Sequence, residues 1–354
     1  ETIRSIAGLA AFAYGRFGDR SDRAVRRLPA WLRAAPFFLS LSLVSAIADL
    51  PVAFVQDYEL ERRFGLSDQS RRRWLTDYFK SAAIGSAMTA FVATLFGAAI
   101  RRAPKTWPLW ASVLTFPLFV AGNVLVPLYV MPLFNAFEPV TGSLEARLRR
   151  LAARFGVGDA EILRMDMSRQ TRKANAFVTG IGRTHRIVLG DTLIDSFRED
   201  EIEFVVAHEL GHYVSHDTWR LIGMGELFAA ILFAIAAAST PGLDEEQLRE
   251  RPLAIARLTV TMMLAMQALR PLLFAYARSR EWNADRFAVD ATHDAAAGAT
   301  AFRRLRDQNL ADAEPPGWYE LFFSSHPSLK KRIAALEEGS FSPDLGDEGR
   351  SLVR

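Results

Sequence analysis

The residues best suited to chemistry gather in one stretch, "VVAHELGHYVSHD", Val205 to Asp217. An apolar approach leads into His208, Glu209, His212 and His216. Positions four apart share one face of an α-helix, so His208 and His212 point the same way and can hold one Zn²⁺ ion. Glu209 follows the first imidazole and can act as general base towards a water there. Zinc in such a site lowers the pKa of water towards ~7 and polarises a scissile carbonyl. Gly211, without a side chain, lets another element come close to this helix. A chance HExxH within a core helix is the alternative; the apolar lead-in and Gly211 argue against it.

A catalytic zinc needs a third protein ligand and an open position. His216 is near in sequence, but ligands spread from His208 to His216 would span ~12 Å of helix, too far for one ion. His216 therefore reads as a helix-end residue or a partner outside the ligand set. The stretch also lacks the further Gly and His of the metzincin pattern. "SREWNADRFAVD" is the better source. Glu281 and Asp285 share a face of an expected helix, Glu281 as third ligand and Asp285 as acceptor for a ligand imidazole N–H. Asp290 is a weaker ligand candidate. Arg278, Arg280 and Arg286 keep a second reading open, a charged helix face in water.

The elements that must position these groups are largely apolar. The chain has 354 residues, half of them hydrophobic and 23% charged. Its mean hydropathy is positive, so the charges must be segregated. There is no Cys, which excludes disulfides, thiolate ligands and Cys nucleophiles. The formal net charge of +3 implies no general nucleic-acid binding. Five apolar runs are of the length a bilayer requires, about 20 residues each: 36–55, 81–100, 107–134, 221–240 and 258–277. The second is rich in Gly, Ala, Ser and Thr, as closely packed membrane helices are. The third contains Pro108, Pro117, Pro127 and Pro132, which predict kinks. Asp49, Glu226 and Arg270 interrupt the runs and either reach water at span ends or face a polar cavity, with Arg270 the deepest. The opening residues to about Tyr14 read as the remnant of a further apolar segment.

Between the third and fourth runs, about 142–220, the pattern changes. "SLEARLRRLAARFGV" reads as a surface helix ended by Gly156. "AEILRMDMS" and "ANAFVTGIGRTHRIVLGDTLID" read as strand, strand, turn, strand, with Gly180, Gly182 and Arg183 in the turn. Glu201–Ser215 reads as a helix with an acidic first turn. The expected class is mainly α: a polytopic membrane helical protein with a metalloprotease domain containing a small β-sheet. The expected order is membrane helices over 1–135, a catalytic region with the sheet and HExxH helix over 136–220, two membrane helices over 221–280, the third-ligand helix and remaining catalytic part over 281–340, and a loose tail over 341–354.

These pieces together resemble the type I CAAX prenyl proteases, integral-membrane zinc peptidases related to the HtpX membrane proteases. The resemblance rests on "ELERRFGLS", "MPLFNAFEPV", "ANAFVTG" with "RIVLGDTLI", "VVAHELGHYVSHD", "EWNADRFAV" and "SHPSLKKRI". The "RFGLS" and "PLFNAFEP" pieces favour the CAAX branch over HtpX. The resemblance implies one Zn²⁺ held by His208, His212 and Glu281, with Glu209 as base. It implies that Asn175 and Ala176 bind substrate backbone, the strand after them pairing with an extended peptide; Asn175 as a self-bonded turn residue is the alternative. It implies that His326 donates to the developing oxyanion, or else merely begins a helix before Pro327, and that Arg332 holds a carboxylate behind the ligands or lies at the surface. It further implies a ring of seven membrane helices around a water-filled chamber, capped by the catalytic domain on the cytosolic side. For a bacterial chain, that membrane is the inner one. Charge alone does not set sidedness, because the Arg-rich loops 16–33 and 59–80 flank one span on opposite sides. The expected partners are the bilayer and a peptide or protein substrate, either plain or lipid-modified. The expected function is a membrane zinc endopeptidase acting near the C-terminus of such substrates. An HtpX-like quality-control protease is the alternative, and a transporter or scaffold with a degenerate metal site is a more distant one.

Overall fold

The structure is a computed structural model and describes residues 2–180, 184–239 and 245–340. Among these, five helices are long and apolar enough to cross a membrane: Ala30–Arg63, Arg71–Arg102, Trp107–Leu133, Asp217–Ser239 and Pro252–Thr292. They coincide with the five apolar runs. A shorter apolar helix, Ser5–Tyr14, precedes them. The seven spans that the resemblance implies are thus five among the described residues.

In chain order the elements are α1 (Thr2–Tyr14), α2 (Arg16–Val25), α3 (Ala34–Ala53), α4 (Glu61–Arg63), α5 (Arg71–Arg102) and α6 (Trp107–Leu125), then β1 (Phe137–Pro139), α7 (Ser143–Arg154), β2 (Glu161–Met165), β3 (Ala176–Thr179) and β4 (Arg186–Gly190). There follow α8 (Asp191–Ser196), α9 (Glu199–Val214), α10 (Asp217–Ser239), α11 (Glu245–Glu250), α12 (Pro252–Thr292), α13 (Ala295–Asn309), α14 (Gly317–Phe323) and α15 (Leu329–Glu338). Prolines leave their expected mark. Pro51 lies inside α3, which widens to π geometry over Phe54–Leu60. Pro127 lies in the π-helical stretch Val126–Val130 that continues α6.

The chain forms two compact units. One gathers Glu1–Leu60, Ser70–Phe119 and Gly223–Leu269. Within it, small residues let helices approach: Ser86, Ala90, Ala93 and Gly97 are the buried positions along the middle of α5. A Cβ on Gly97 would lie 3.4 Å from Ile255 Cδ1 and 3.7 Å from Ala34 Cβ, so the absent side chain brings three helices together. Phe12, Phe37, Phe38 and Leu253 complete that core. One oxygen of Glu226, flagged from the sequence, is buried here with no hydrogen-bond partner among the described residues.

The second unit comprises Glu61–Gln69, Val120–Ile222 and Arg270–Arg354. Its four-stranded sheet has the order β1-β2-β4-β3. β1 and β2 pair antiparallel, β2 and β4 parallel, β4 and β3 antiparallel. β1 is absent from the sequence reading: three residues ending in Pro139 carry no alternation to detect, and Pro is tolerated there because the strand is an edge. Gly180 adopts φ 95° after β3, in keeping with its turn role; Gly182 and Arg183 lie outside the described residues. The α7 face Leu144, Leu148 and Leu151 packs into one core with Ile187, Leu189, Phe204 and Phe302. That core fixes α9 against the sheet.

Candidate metal centre

α9 carries the HExxH residues and is held at both ends. At its start, Glu201 Oε2 accepts the backbone N–H of Arg198 at 2.8 Å, and Glu199, Asp200 and Glu201 complement the helix dipole. Its body is anchored by buried Phe204, Val206 and Leu210. At its end, His216 takes φ 54°. The chain turns there, and His216 forms the corner, outside the group of donor atoms formed by His208, His212 and Glu281.

α12 brings the carboxylate of the candidate third ligand, Glu281, and Gly211 explains the closeness of its approach. A Cβ at 211 would stand 3.1 Å from Ala284 Cα and 3.2 Å from Phe287 Cβ. Ala284 lies between Glu281 and Asp285, so the glycine on α9 sets how near both acids come. One donor atom each from His208, His212 and Glu281 lies within 4.8 Å of the others. His208 Nε2 is 3.4 Å from Glu281 Oε2, and His212 Nε2 is 3.4 Å from Glu281 Oε1. Asp290, two and a half turns further along α12, is outside this group.

The far nitrogen of each imidazole meets an aspartate. His208 Nδ1 is 2.9 Å from Asp285 Oδ1, and His212 Nδ1 is 2.9 Å from Asp217 Oδ2. Each aspartate in turn meets an arginine. Arg332 donates to Asp285 through Nε at 2.8 Å and Nη2 at 2.6 Å. Arg280 Nε donates to Asp217 Oδ1 at 2.7 Å. Arg332 also stacks 4.2 Å over the Phe302 ring. Its Nη2 stands 3.3 Å from His208 Nδ1, but that contact is not a hydrogen bond, because an Nδ1–H donating to Asp285 cannot also accept from a guanidinium.

These residues fit a divalent cation. With both Nδ1 atoms engaged, both Nε2 lone pairs face one carboxylate, the arrangement that orients imidazole ligands. Glu281 Oε2 is buried and makes no hydrogen bond among the described residues. Burial draws both imidazoles towards neutrality, yet acids outweigh it. Asp285 and Glu281 raise His208, and Asp217 and Glu281 raise His212 to about 10. A cation between the nitrogens would replace those protons. Burial pushes Glu209 above the ordinary carboxylate range, opposed by the two imidazoles.

Glu209 is part of the wall of a cavity of about 380 Å³, with His208, Glu281, Asn175 and His326. Asn175 is exposed there, and its carbonyl accepts the Gly190 N–H at 2.9 Å. Ala176 is buried at the start of β3. His326 is exposed, its Nε2 3.3 Å from Glu281 Oε1. Sequence reasoning missed Asp217 and the partner role of Arg280. Asp217 follows His212 by five, off the helical face, and reaches back only because His216 turns the chain. Arg280 read as part of a solvated charged face, but the structure buries it.

Comparison with known proteins agrees over nearly the whole chain. Residues 139–340 match the model of peptidase family M48. Residues 1–136 match a model described as the CAAX prenyl protease N-terminal, five membrane helices. An uncharacterized metalloprotease of Bacillus subtilis, YhfN, is 28% identical over 327 residues, covering 90% of this chain and 76% of that protein. The CAAX prenyl protease 1 of Saccharomyces cerevisiae is 28% identical over 322 residues, covering 84% and 70%. The crystal structure of S. mikatae Ste24p superposes with a TM-score of 0.79 at 25% identity, covering 88% of this chain and 77% of that one. Matched in both its membrane helices and its HExxH-bearing region, the chain belongs to peptidase family M48 and is a membrane metalloprotease.

Proposed function

We propose that this chain is a zinc endopeptidase in which His208, His212 and Glu281 hold one Zn²⁺ ion and Glu209 is the general base. The observation that carries the reading is the convergence of two Nε2 atoms on one carboxylate at 3.4 Å each, with both Nδ1 atoms turned to aspartates. Zinc there would supply Lewis acidity, acidifying a water and polarising the scissile carbonyl. The Glu209 carboxylate takes the water's proton and returns it to the leaving amine. His326, at the cavity mouth, donates from its ring N–H to the oxyanion. Asp285 with Arg332, and Asp217 with Arg280, keep the imidazoles oriented and their Nδ1 atoms protonated.

Substrate recognition follows from the sheet. β3 pairs on one side with β4 and ends the strand order. Its free edge can add an extended peptide as a further strand. Asn309 steadies the start of β3, accepting the Ala174 N–H at 2.8 Å and donating to the Ala174 carbonyl at 3.2 Å. Asn175 then offers its side chain to the peptide backbone. Likeness to the yeast CAAX prenyl protease 1 supports a lipid-modified peptide trimmed near its C-terminus, with the catalytic residues on the cytosolic side of the membrane.

The test compares the chain with Glu209→Gln. Glu209→Gln retains zinc and loses peptide hydrolysis; retained turnover would remove the assigned base. Mapping new protein N-termini in cells carrying either form then identifies substrates, and separates C-terminal trimming from broad degradation of membrane proteins.

A further inference from the structure

Arg270 has no part in the catalytic reading. It sits within the apolar run 258–277 of α12, yet its guanidinium lies 4.9 Å from the Phe274 ring centroid and 5.1 Å from that of Phe323. Phe323 is the last residue of α14. Two turns further along α12, Arg278 Nη1 donates to the carbonyls of Glu320 at 2.9 Å and Ser324 at 2.8 Å. The Glu320 carbonyl also accepts the Ser324 N–H at 3.3 Å, so Arg278 clamps the C-terminal turn of α14 at the helix end and at the residue just past it. Two arginines, about 12 Å apart along the axis, therefore staple α14 to α12. Seven residues would not hold a helix alone.

The polarity of α14 is inverted for a surface in water. Trp318, Tyr319, Leu321, Phe322 and Phe323 are 64, 45, 43, 41 and 42% exposed. Glu320, the one charged residue of the helix, is turned inward and 9% exposed, paired with Lys331 at 2.9 and 3.0 Å. A helix solvated by water would place these two classes the other way round. The staples fall on the last turns of a membrane-length apolar run, where Leu272 is also exposed, just before Arg280 and Glu281 begin the polar site. Trp and Tyr clustered at such a level are the side chains that favour the boundary between lipid headgroups and acyl chains.

We propose that α14 is an interfacial anchor whose aromatic face lies in the bilayer surface and seats the neighbouring cavity mouth, at His326, against the lipid. Lipid is the occupant because the helix is fixed to a membrane span at the end of its apolar run and turns its charge away from the outside. A cavity so seated meets peptide segments held at the membrane surface before those free in solution. That consequence rests on the peptidase reading; the anchor itself needs only that α12 spans the bilayer.

The chain contains no cysteine, so single-cysteine variants give clean spin labels. Leu321→Cys and Lys330→Cys are labelled with a nitroxide in the full chain, in phospholipid nanodiscs. Collisions with oxygen, which partitions into lipid, are compared with collisions with a water-soluble nickel chelate. At 321 oxygen should dominate; at 330, whose side chain is 61% exposed, the nickel chelate should dominate. Nickel dominance at both positions would overturn the anchor. Spin–spin broadening at 321 that dilution with unlabelled chain removes would also overturn it, by showing a second copy as the occupant. If Leu321→Cys does not fold, Tyr319→Cys carries the same test. The readout is depth rather than turnover, so the anchor and the peptidase reading fail separately.

Discussion

At the scale of single residues, some groups touch the proposed ion and others hold those groups in place. Glu209→Gln should keep zinc while peptide hydrolysis falls by about 10²–10⁴-fold, the usual share of general base catalysis; parallel metal analysis and turnover assays check it. Asp217→Ala removes the acceptor 2.9 Å from His212 Nδ1 and frees the buried Arg280 guanidinium. Zinc affinity, measured against a competing chelator, should fall roughly 10–100-fold, and unchanged affinity would show that His212 needs no such support. The two cases also mark what was readable in advance. His208, His212, Glu281 and Asp285 obey helical spacing, so the sequence alone brings them onto two faces. Asp217 obeys no period. Its place depends on one left-handed residue, His216, which neither β-branching nor glycine announces.

At the scale of elements, the decisive contact is α9 against α12. Gly211 was legible as a point of close approach, but the identity of the approaching helix was not, because some seventy residues separate them. Gly211→Ala puts a methyl 3.1 Å from Ala284 Cα, against backbone that cannot swing away. The overpacking should cost about 1–3 kcal/mol and shift Glu281, so both the thermal midpoint and zinc affinity fall. Gly223→Ala, where nothing lies within 4 Å of the new Cβ, is the control and should leave both unchanged. The sheet divides in the same way. β2, β3 and β4 have enough alternating apolar residues to be read, whereas β1 and the parallel pairing of β2 with β4 depend on contacts across the fold that no local pattern encodes.

At the scale of the whole molecule, the membrane helices were the most legible feature, because a bilayer imposes length and composition together. The four prolines of the run 107–134 predict kinks, and a π-helical stretch appears around Pro127; a second lies beside Pro51, in the run 36–55. Crossing by α3 has a direct consequence: cysteines introduced at Arg23 and at Arg72 should react with an impermeant maleimide from opposite faces of sealed vesicles. Reaction of both from one face would remove that span. The second consequence concerns metal. Held by His208, His212 and Glu281 as proposed, an ion would tie α9 to α12 and stabilise the folded unit by mass action. Chelation should therefore lower the melting temperature of the full chain, and zinc should restore it.

The most direct test is zinc stoichiometry in purified chain after equilibration with zinc and removal of free ion. Wild type and Glu209→Gln should each retain one zinc per chain, and Glu281→Ala should lose nearly all of it under the same wash. Equal zinc in all three, or none in the wild type, would contradict the proposed metal centre and the peptidase built on it.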